Sequence, residues 1–532
     1  MYSFKKLENT IKIFIFSFII LGFYNAIIIG ASWDEPFHHT NGISRLNYLL
    51  TFGKFKDYDF YPGTEFYPGL YDTISASVYL LVEKININFA KKFLVEIKHV
   101  INYFFFLFSL LGLYKFIKIL LKNELIALLS CALTLFNPFF FGHSGMNPKD
   151  IIVFFSLVWF LYFFILYISE YKSLKNLIYF SFFIGFGCGT RLSFLSLILP
   201  IIIFGVFFYV KKFDLSIVKA LNLKKLDFLI SVSVLFLVAF TTWPHIHSMD
   251  INLIINNISK SLDWHAGPKQ NLINGNYYLK NENQLTYLIS LFLYKVPLYQ
   301  ALLFIISLII VFFKKNFFIE KLDNFLFFFW LNFTIIFYTF SLIVLFQVAI
   351  YDNFRLILFL IPFFCTICSI SIYYFICSFD NLKIKNIFFS LFIFIFFIFS
   401  IFRYLSLNPY QYVYLNFSVL NLNQTKFEND YWGTSFKELV KNMPKKYNGK
   451  NIEDYTFFVC GGDPFVAGFY LYKKFKKVKI SGSSDKANLV IQTNRASFDP
   501  SDKRTCFDSY KGIDLVVVER QNMILSKITF LN

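Results

Sequence analysis

The chain has 532 residues, of which 57% are hydrophobic and 22% aromatic, with Phe at 77 positions and only 16% charged. Soluble proteins carry about 45–50% apolar and roughly 25% charged residues, so a soluble globular enzyme, a disordered chain and a disulfide scaffold are excluded. The net charge of +18 would suggest nucleic acid as the partner of a soluble protein. Here the Lys residues gather in short loops between apolar runs, which is the positive-inside bias of a membrane protein, and no nucleic-acid partner is expected.

In chain order, apolar runs of membrane length predict about eleven transmembrane helices, at 11–30, 99–120, 124–142, 151–169, 176–190, 192–210, 228–243, 296–313, 325–346, 355–378 and 387–403. Helices are expected because a spanning segment must satisfy its own backbone hydrogen bonds. Lys5, Lys6 and Lys12 hold the N-terminus in the cytoplasm. Alternation then puts the Lys-rich loops 115–122, 172–175, 211–225, 314–321 and 383–385 on the same side. The opposite side receives 31–98, 143–150, 244–295, 347–354 and the tail. The chain therefore reads as an α-helical integral membrane protein of the inner (plasma) membrane, its multi-spanning part covering 1–403.

Residues 404–532 differ in composition. Turn signals at Asn408–Pro409, Gly461–Gly462 and Asp499–Pro500 separate β-type runs at Thr456–Cys460, Leu489–Gln492 and Leu515–Glu519 from a helix-like stretch at Ser435–Asn442. These predict a small extracytoplasmic α/β domain. Cys131, Cys188, Cys365, Cys368 and Cys377 lie in apolar runs and read as inert packing residues. Cys460 and Cys506 can pair where the tail faces an oxidising compartment.

The chemistry-bearing residues fall on the outer side. The first span is followed at once by Asp34 and Glu35, an expensive place for two carboxylates unless they are solvated loop residues, cap a following helix or carry chemistry. The aromatic, Pro/Gly-rich stretch 61–69 reads as a shaped surface. Lys149 and Asp150 open the fourth span, where an acid suits the helix dipole and a bound anion would want the Lys. Arg191 stands alone between two apolar helices; it either snorkels to headgroups or holds an anion with its planar fork. His265, in a segment with Asp263 and Trp264, and Tyr351, leading to Asp352 and Arg355, complete the inventory. Arg355 either pairs with Asp352 or joins the cations. Together these suit a lipid-linked phosphate and an acceptor to be activated: Arg191, Lys149 and Arg355 as phosphate holders, an acid as base, His265 and Tyr351 as substrate contacts.

An Asp-Glu pair opening a long first outer loop, here Asp34-Glu35, resembles the GT-C fold glycosyltransferases, in the branch of the protein O-mannosyltransferases and the bacterial aminoarabinose transferases. Asp150 and Gly189-Thr190-Arg191 match as well. Segments 351–355, 408–414 and 430–433 are similar to those of a bacterial subgroup described as family-39-like. The resemblance implies a polyprenyl-phosphate sugar as donor, an extracytoplasmic acceptor (lipid, glycan or protein) and a single inverting displacement. It implies Asp34 as the acceptor-activating base, Glu35 as its support or as an acceptor contact, Asp150 as an orienting group and Arg191 on the lipid phosphate. No cofactor is implied for certain. Some members use a divalent metal, and no tight His/Asp cluster of the metal-binding kind stands in this sequence, so no metal ligand is assigned. The β-trefoil domain of the protein O-mannosyltransferases has no room here. The alternative readings are a transporter or flippase, which would place charges at the bilayer midplane and show pseudo-symmetric halves, and a polymerase of lipid-linked sugars, which does not require the Asp-Glu pair after the first span.

Overall fold

The computed structural model describes residues 2–54, 68–169, 173–212, 214, 225–248, 251–262, 267–279, 282–378, 401–416 and 423–531. The stretch 55–67, His265 and the expected span 387–403 as far as residue 400 lie outside the described residues. Among the described residues, six helices are long and apolar enough to cross a membrane: Lys5–Ile28, Leu94–Leu121, Asp150–Ser169, Phe194–Lys212, Phe325–Leu345 and Leu360–Ser378. One further pair, Gln284–Lys295 and Leu298–Phe313, is apolar enough when taken together but is bent by 113°, as in a broken span or a re-entrant loop. This is a multi-pass membrane protein.

Asp150–Ser169 and Leu360–Ser378 form the centre of the bundle, 72% and 78% buried, whereas Lys5–Ile28 is 28% buried and lies at the edge. The first central helix packs between Leu94–Leu121 and Leu174–Cys188. The second packs on Glu124–Leu135 and Leu298–Phe313. Phe supplies much of the interlocking: Trp159 and Phe163 stack on Phe183, and Phe304 stacks on Phe364. Such offset rings add about 0.5–1.5 kcal/mol each beyond their buried area.

Several expected boundaries shift, each for a local reason. The run 124–142 is two pieces, because the helix Glu124–Leu135 stops at Phe136 and a short helix Pro138–Gly142 restarts with Asn137 capping Phe140 N. Pro138 lacks the N–H that a continuous helix would need. The span expected from 355 begins at Leu360, since Arg355–Ile357 is a 3-10 turn. The segment after the first membrane helix is not a plain loop but carries the helices Glu35–Leu50 and Leu70–Ile85, packed on each other. The segment before residue 296 likewise holds the antiparallel hairpin β1 (Gln270–Ile273) with β2 (Asn276–Leu279), and the helix Gln284–Lys295.

The tail carries a short hairpin, β3 (Lys446–Tyr447) with β4 (Lys450–Asn451), and a five-stranded mixed sheet. The sheet strands are β5 (Thr456–Cys460), β6 (Lys479–Ile480), β7 (Leu489–Thr493), β8 (Ile513–Arg520) and β9 (Met523–Phe530), in the order β6-β5-β7-β9-β8. The helix Pro464–Lys474 follows β5, capped by Asp463, which accepts from Phe465 N and Val466 N. A disulfide joins Cys460 to Cys506.

The tail is fastened to the membrane part at the C-terminal end of the first helix. Trp33 N donates to Trp432 O over 3.1 Å. Tyr470 accepts from Ala31 N over 2.6 Å, and Lys437 reaches Glu96 over 2.9 Å. Gly142 is needed at one contact, because a Cβ there would collide with the Tyr412 backbone.

Candidate active site

The site is assembled where the segment after the first membrane helix, the start of Asp150–Ser169, the turn after Leu174–Cys188, the segment before Leu360–Ser378 and the tail converge. Asp34 stands at the N-cap position of the helix Glu35–Leu50, whose first turn contains Pro36, but its side chain makes no capping hydrogen bond. Its carboxylate pairs with Arg355 Nη2. Arg355 also binds Asp352 Oδ2 through Nη1 at 2.9 Å, and its Nε lies 3.5 Å from Asp150 Oδ2. Asp150 Oδ1 is 2.9 Å from Arg191 Nη2. Asp352 takes a second guanidinium, Arg495 Nη2, at 2.9 Å. Three aspartates and three arginines thus form one continuous network.

Aromatic faces cover it. The Arg355 guanidinium lies 4.5 Å from the Trp432 ring centre and 5.9 Å from that of Tyr351; Arg495 lies 4.9 Å from Trp33. Stacked guanidinium groups gain cation–π attraction and lose less on desolvation than an ammonium would. Asp352 and Asn353 both take left-handed backbone (φ 54° and 63°), which short polar side chains tolerate better than others. This tight reversal turns Asp352 back onto Arg355.

Asp150 is oriented by Asn147, which donates to its Oδ2 and accepts from its backbone N–H, both over 2.9 Å. Asn147 in turn contacts His143 over 3.2 Å, and His143 contacts Tyr431 OH over 3.0 Å. Lys149 lies 5.1 Å from the Phe37 ring centre and is buried. Burial pushes its ammonium down to about 8, against the pull of Asp34 and Asp72. Burial also acts to raise the Asp34 carboxyl, but Arg355, His38 and Lys149 outweigh it and hold it below the usual carboxylate range.

Glu35 has a different setting from Asp34. Its Oε1 accepts from Ser32 N (2.7 Å) and Ser32 Oγ (2.9 Å) and sits 2.9 Å from His99 Nε2. The other His99 nitrogen faces Ala26 O at 2.9 Å. One helical turn on, His38 Nδ1 is 2.8 Å from Asp72 Oδ1. A small chamber lies among Glu35, His38, Asp72, Lys98 and His99, with Tyr71, Met146 and Pro148 also in its walls.

The structure therefore brings Asp34, Asp150, Arg191, Arg355, Lys149 and Tyr351 into one neighbourhood. Glu35 borders it through its own partners. His265 lies outside the described residues, but Gly267 packs directly on the Tyr351 ring, where a Cβ would come within 2.6 Å. Sequence reasoning did not single out Arg495, Asp72, His38 or His99. Arg495 carried a signal: it follows a wholly buried strand, β7, as part of Asn494–Arg495. Among the described residues no group of three His, Cys, Asp or Glu is placed to hold a metal ion.

Solvent reaches the network unevenly. The side chains of Arg191 and Asp34 are 21% and 17% exposed, against 8% for Arg355 and 2% for both Asp150 and Asp352. The open rim thus presents one cation and one carboxylate, with the remaining charges beneath them.

A membrane-embedded helical bundle with a charged, aromatic-roofed site under a sheet-bearing tail is the class that this fold and site define. No protein-family model matches the chain, and no curated protein matches it. Among solved structures, the chain is similar to ArnT from Cupriavidus metallidurans in the apo state, with 8% identity, a TM-score of 0.49, and coverage of 98% of this chain and 97% of that one. It is similar to the same protein bound to undecaprenyl phosphate, with 10% identity, a TM-score of 0.49 and 98% coverage of both chains. It is also similar to the archaeal oligosaccharyltransferase AglB from Archaeoglobus fulgidus in complex with an inhibitory peptide and a dolichol-phosphate, with 11% identity, a TM-score of 0.45, and coverage of 91% of this chain and 69% of that one.

Proposed function

We propose that this protein is a membrane glycosyltransferase of the GT-C kind, which moves a sugar from a polyprenyl-phosphate donor to an extracytoplasmic acceptor by inverting displacement. The observation that carries the reading is that Arg191 and Asp34 are the partly exposed members of an otherwise buried network of aspartates and arginines. A phosphate and a hydroxyl are the two groups such a rim would bind. In this reading the tail forms an extracytoplasmic α/β domain and the N-terminus is cytoplasmic, with the Cys460–Cys506 disulfide suited to an oxidising compartment.

The residues divide the work. Arg191 and Lys149 hold the donor phosphate, and Arg355 contributes from below. The acceptor hydroxyl sits on Asp34, which takes its proton as the acceptor oxygen bonds to the anomeric carbon. The bond from that carbon to the phosphate oxygen breaks at the same time, and its electron pair stays with the phosphate. Fixed cations in a poorly hydrated site stabilise the charge that develops there. Because Arg355 keeps Asp34 ionised, the base is ready before the acceptor arrives. When the phosphate draws Arg355 toward itself, Asp34 loses part of its counter-charge and becomes more basic. Glu35 is a positioning residue: Ser32 and His99 fix it, and it fixes the turn that presents Asp34. Asp150 orients Arg191 and Arg355, and Tyr351 flanks the substrate.

Arg191→Ala is expected to weaken binding of a labelled polyprenyl-phosphate sugar to the full chain in nanodiscs by about tenfold or more, the worth of one charge-assisted phosphate contact. Unchanged donor affinity would assign Arg191 to lipid headgroups instead. Lys149 predicts a pH effect. Its ammonium loses its proton as pH rises through about 8, so donor affinity falls above that pH. In Lys149→Arg the cation persists and the affinity stays level over the same range. Equal pH profiles for the two proteins would remove Lys149 from the phosphate site.

A further inference from the structure

The hairpin β1–β2 holds two loops of the site at once. β1 is buried along its whole length, and neighbouring side chains of a strand point to opposite faces. Asn271 brackets Tyr351: its Oδ1 accepts from Asp352 N over 3.2 Å, and its Nδ2 donates to Ile350 O over 3.3 Å. Its neighbour Gln270 enters the tail loop 497–502 instead. Gln270 Nε2 donates to Ser497 O, Asp499 O and Asp502 O over 2.9–3.0 Å, and its Oε1 accepts from Lys503 Nζ over 3.0 Å. An amide nitrogen has two hydrogens, so three carbonyls share them and the loop closes around this one side chain. Gln270 is 0% exposed. The base of the loop is shut separately, where Ser497 N donates to Arg504 O over 2.9 Å and Ala496 bridges to Thr505.

The two loops meet again at Arg495. It pairs with Asp352 of the first loop and lies 5.7 Å from the Phe498 ring centre of the second. Phe498 also meets the Trp33 ring edge-on, with centres 6.0 Å apart, and Trp33 immediately precedes Asp34. Phe498 is 48% exposed, so the two rings wall the rim beside the Asp34 carboxylate. The cation behind this wall, Arg495, is matched by Asp352. Arg191 and Lys149 stand elsewhere, at the ends of the helices Leu174–Cys188 and Asp150–Ser169. The wall thus offers ring faces backed by a matched charge, which suits an acceptor and not a phosphate.

We propose that Gln270 is a positioning residue for the acceptor side of the site: by clamping the loop 497–502 it sets Phe498 against Trp33, and so the wall along which an acceptor reaches Asp34. The word acceptor rests on the glycosyltransferase reading; the clamp rests on the hydrogen bonds alone. The test uses the full chain in nanodiscs for hydrogen–deuterium exchange and donor affinity, and membranes for transfer from a labelled polyprenyl-phosphate sugar. Gln270→Glu keeps the side chain's size and its bond to Lys503, but turns a carboxylate toward the three carbonyls. Gln270→Met removes the donors without adding charge. Both should speed exchange of the amides in 497–504 by about tenfold, the equivalent of one lost hydrogen bond. Both should lower transfer about tenfold by the same measure, with donor affinity as in the wild type. Phe498→Ala should lower transfer similarly while the loop amides stay protected. Gln270→Met combined with Phe498→Ala should transfer no worse than Phe498→Ala alone, because the clamp acts through that ring; a merely structural loss would multiply the two effects. Unchanged exchange in both Gln270 variants, multiplied losses in the double variant, or a matching fall in donor affinity would overturn the proposal. Faster exchange in these variants of a chain whose wild type transfers no sugar would establish the clamp, deny it any role toward an acceptor and sink the glycosyltransferase reading.

Discussion

Asp34→Asn is expected to lower sugar transfer by about 10²–10⁴-fold, the usual contribution of a general base, while the protein inserts and folds. Asn keeps the size of the side chain and still offers an oxygen to Arg355, so the turn after the first helix survives. What is lost is the capacity to accept a proton. Donor binding should hold or tighten, because Arg355 gives up a competing carboxylate. Transfer of label from a polyprenyl-phosphate sugar in membranes, read alongside donor affinity, checks both halves. Wild-type turnover in this variant would exclude Asp34 as the base. The pH dependence has a defined sign. Arg355, His38 and Lys149 hold the Asp34 carboxyl below its ordinary value despite burial, so the base form persists through neutral and mildly acidic pH. Activity should fall on the acid side only once pH drops beneath the ordinary carboxylate range.

Arg355→Ala is expected to do more damage than any other single change at the site. The guanidinium contacts Asp34, Asp150 and Asp352, and two of those acids are 2% exposed. Removing one partner from a buried ion network costs about 3–5 kcal/mol, because it leaves uncompensated charge. Arg495 still neutralises Asp352 and Arg191 still faces Asp150, which sets the loss nearer the lower end. Thermal unfolding in detergent should show a clear downward shift, and transfer should be abolished. Arg355→Lys should recover part of the stability but little activity, since a point charge cannot serve three carboxylates and a ring face together. An Arg355→Ala protein as stable as the wild type would show that the aspartates are neutralised from elsewhere.

The members of the network that were legible in the sequence share one property: they are charged residues set against apolar runs. Asp34, Asp150, Arg191 and Arg355 stand out because placing a charge at a membrane boundary is expensive. His99 gave no such signal. It lies inside an apolar helix, and its role depends on where Ala26 and Glu35 fall in space. Asp72 carries no signal in the sequence, and only the packing of Leu70–Ile85 on Glu35–Leu50 brings it to His38. Glu35 illustrates the limit of reading adjacent letters together: neighbouring residues on a helix turn point about 100° apart, so the pair divides between the ion network and Ser32 with His99. In the tail, Thr456–Cys460 and Leu489–Thr493 form strands where β-branched and aromatic runs predicted them. The strand Met523–Phe530 was hidden by Ser526 and Lys527, which sit among its apolar residues. The bundle was harder to divide into spans, because hydropathy measures how apolar a stretch is and not where Pro138 breaks it or where Gln284–Lys295 turns into the next helix.

The central claim is that a lipid-linked phosphate is cleaved from its sugar at the Arg191–Asp34 rim. The most direct measurement is turnover by the purified chain in nanodiscs. A labelled polyprenyl-phosphate sugar is supplied with a mixed glycan acceptor, and free polyprenyl phosphate is followed by mass spectrometry. The account predicts release of the phosphate in step with label entering the acceptor, with inversion at the anomeric carbon, and neither event in Asp34→Asn. Intact donor that merely crosses the bilayer, or release that continues undiminished in Asp34→Asn, would contradict it.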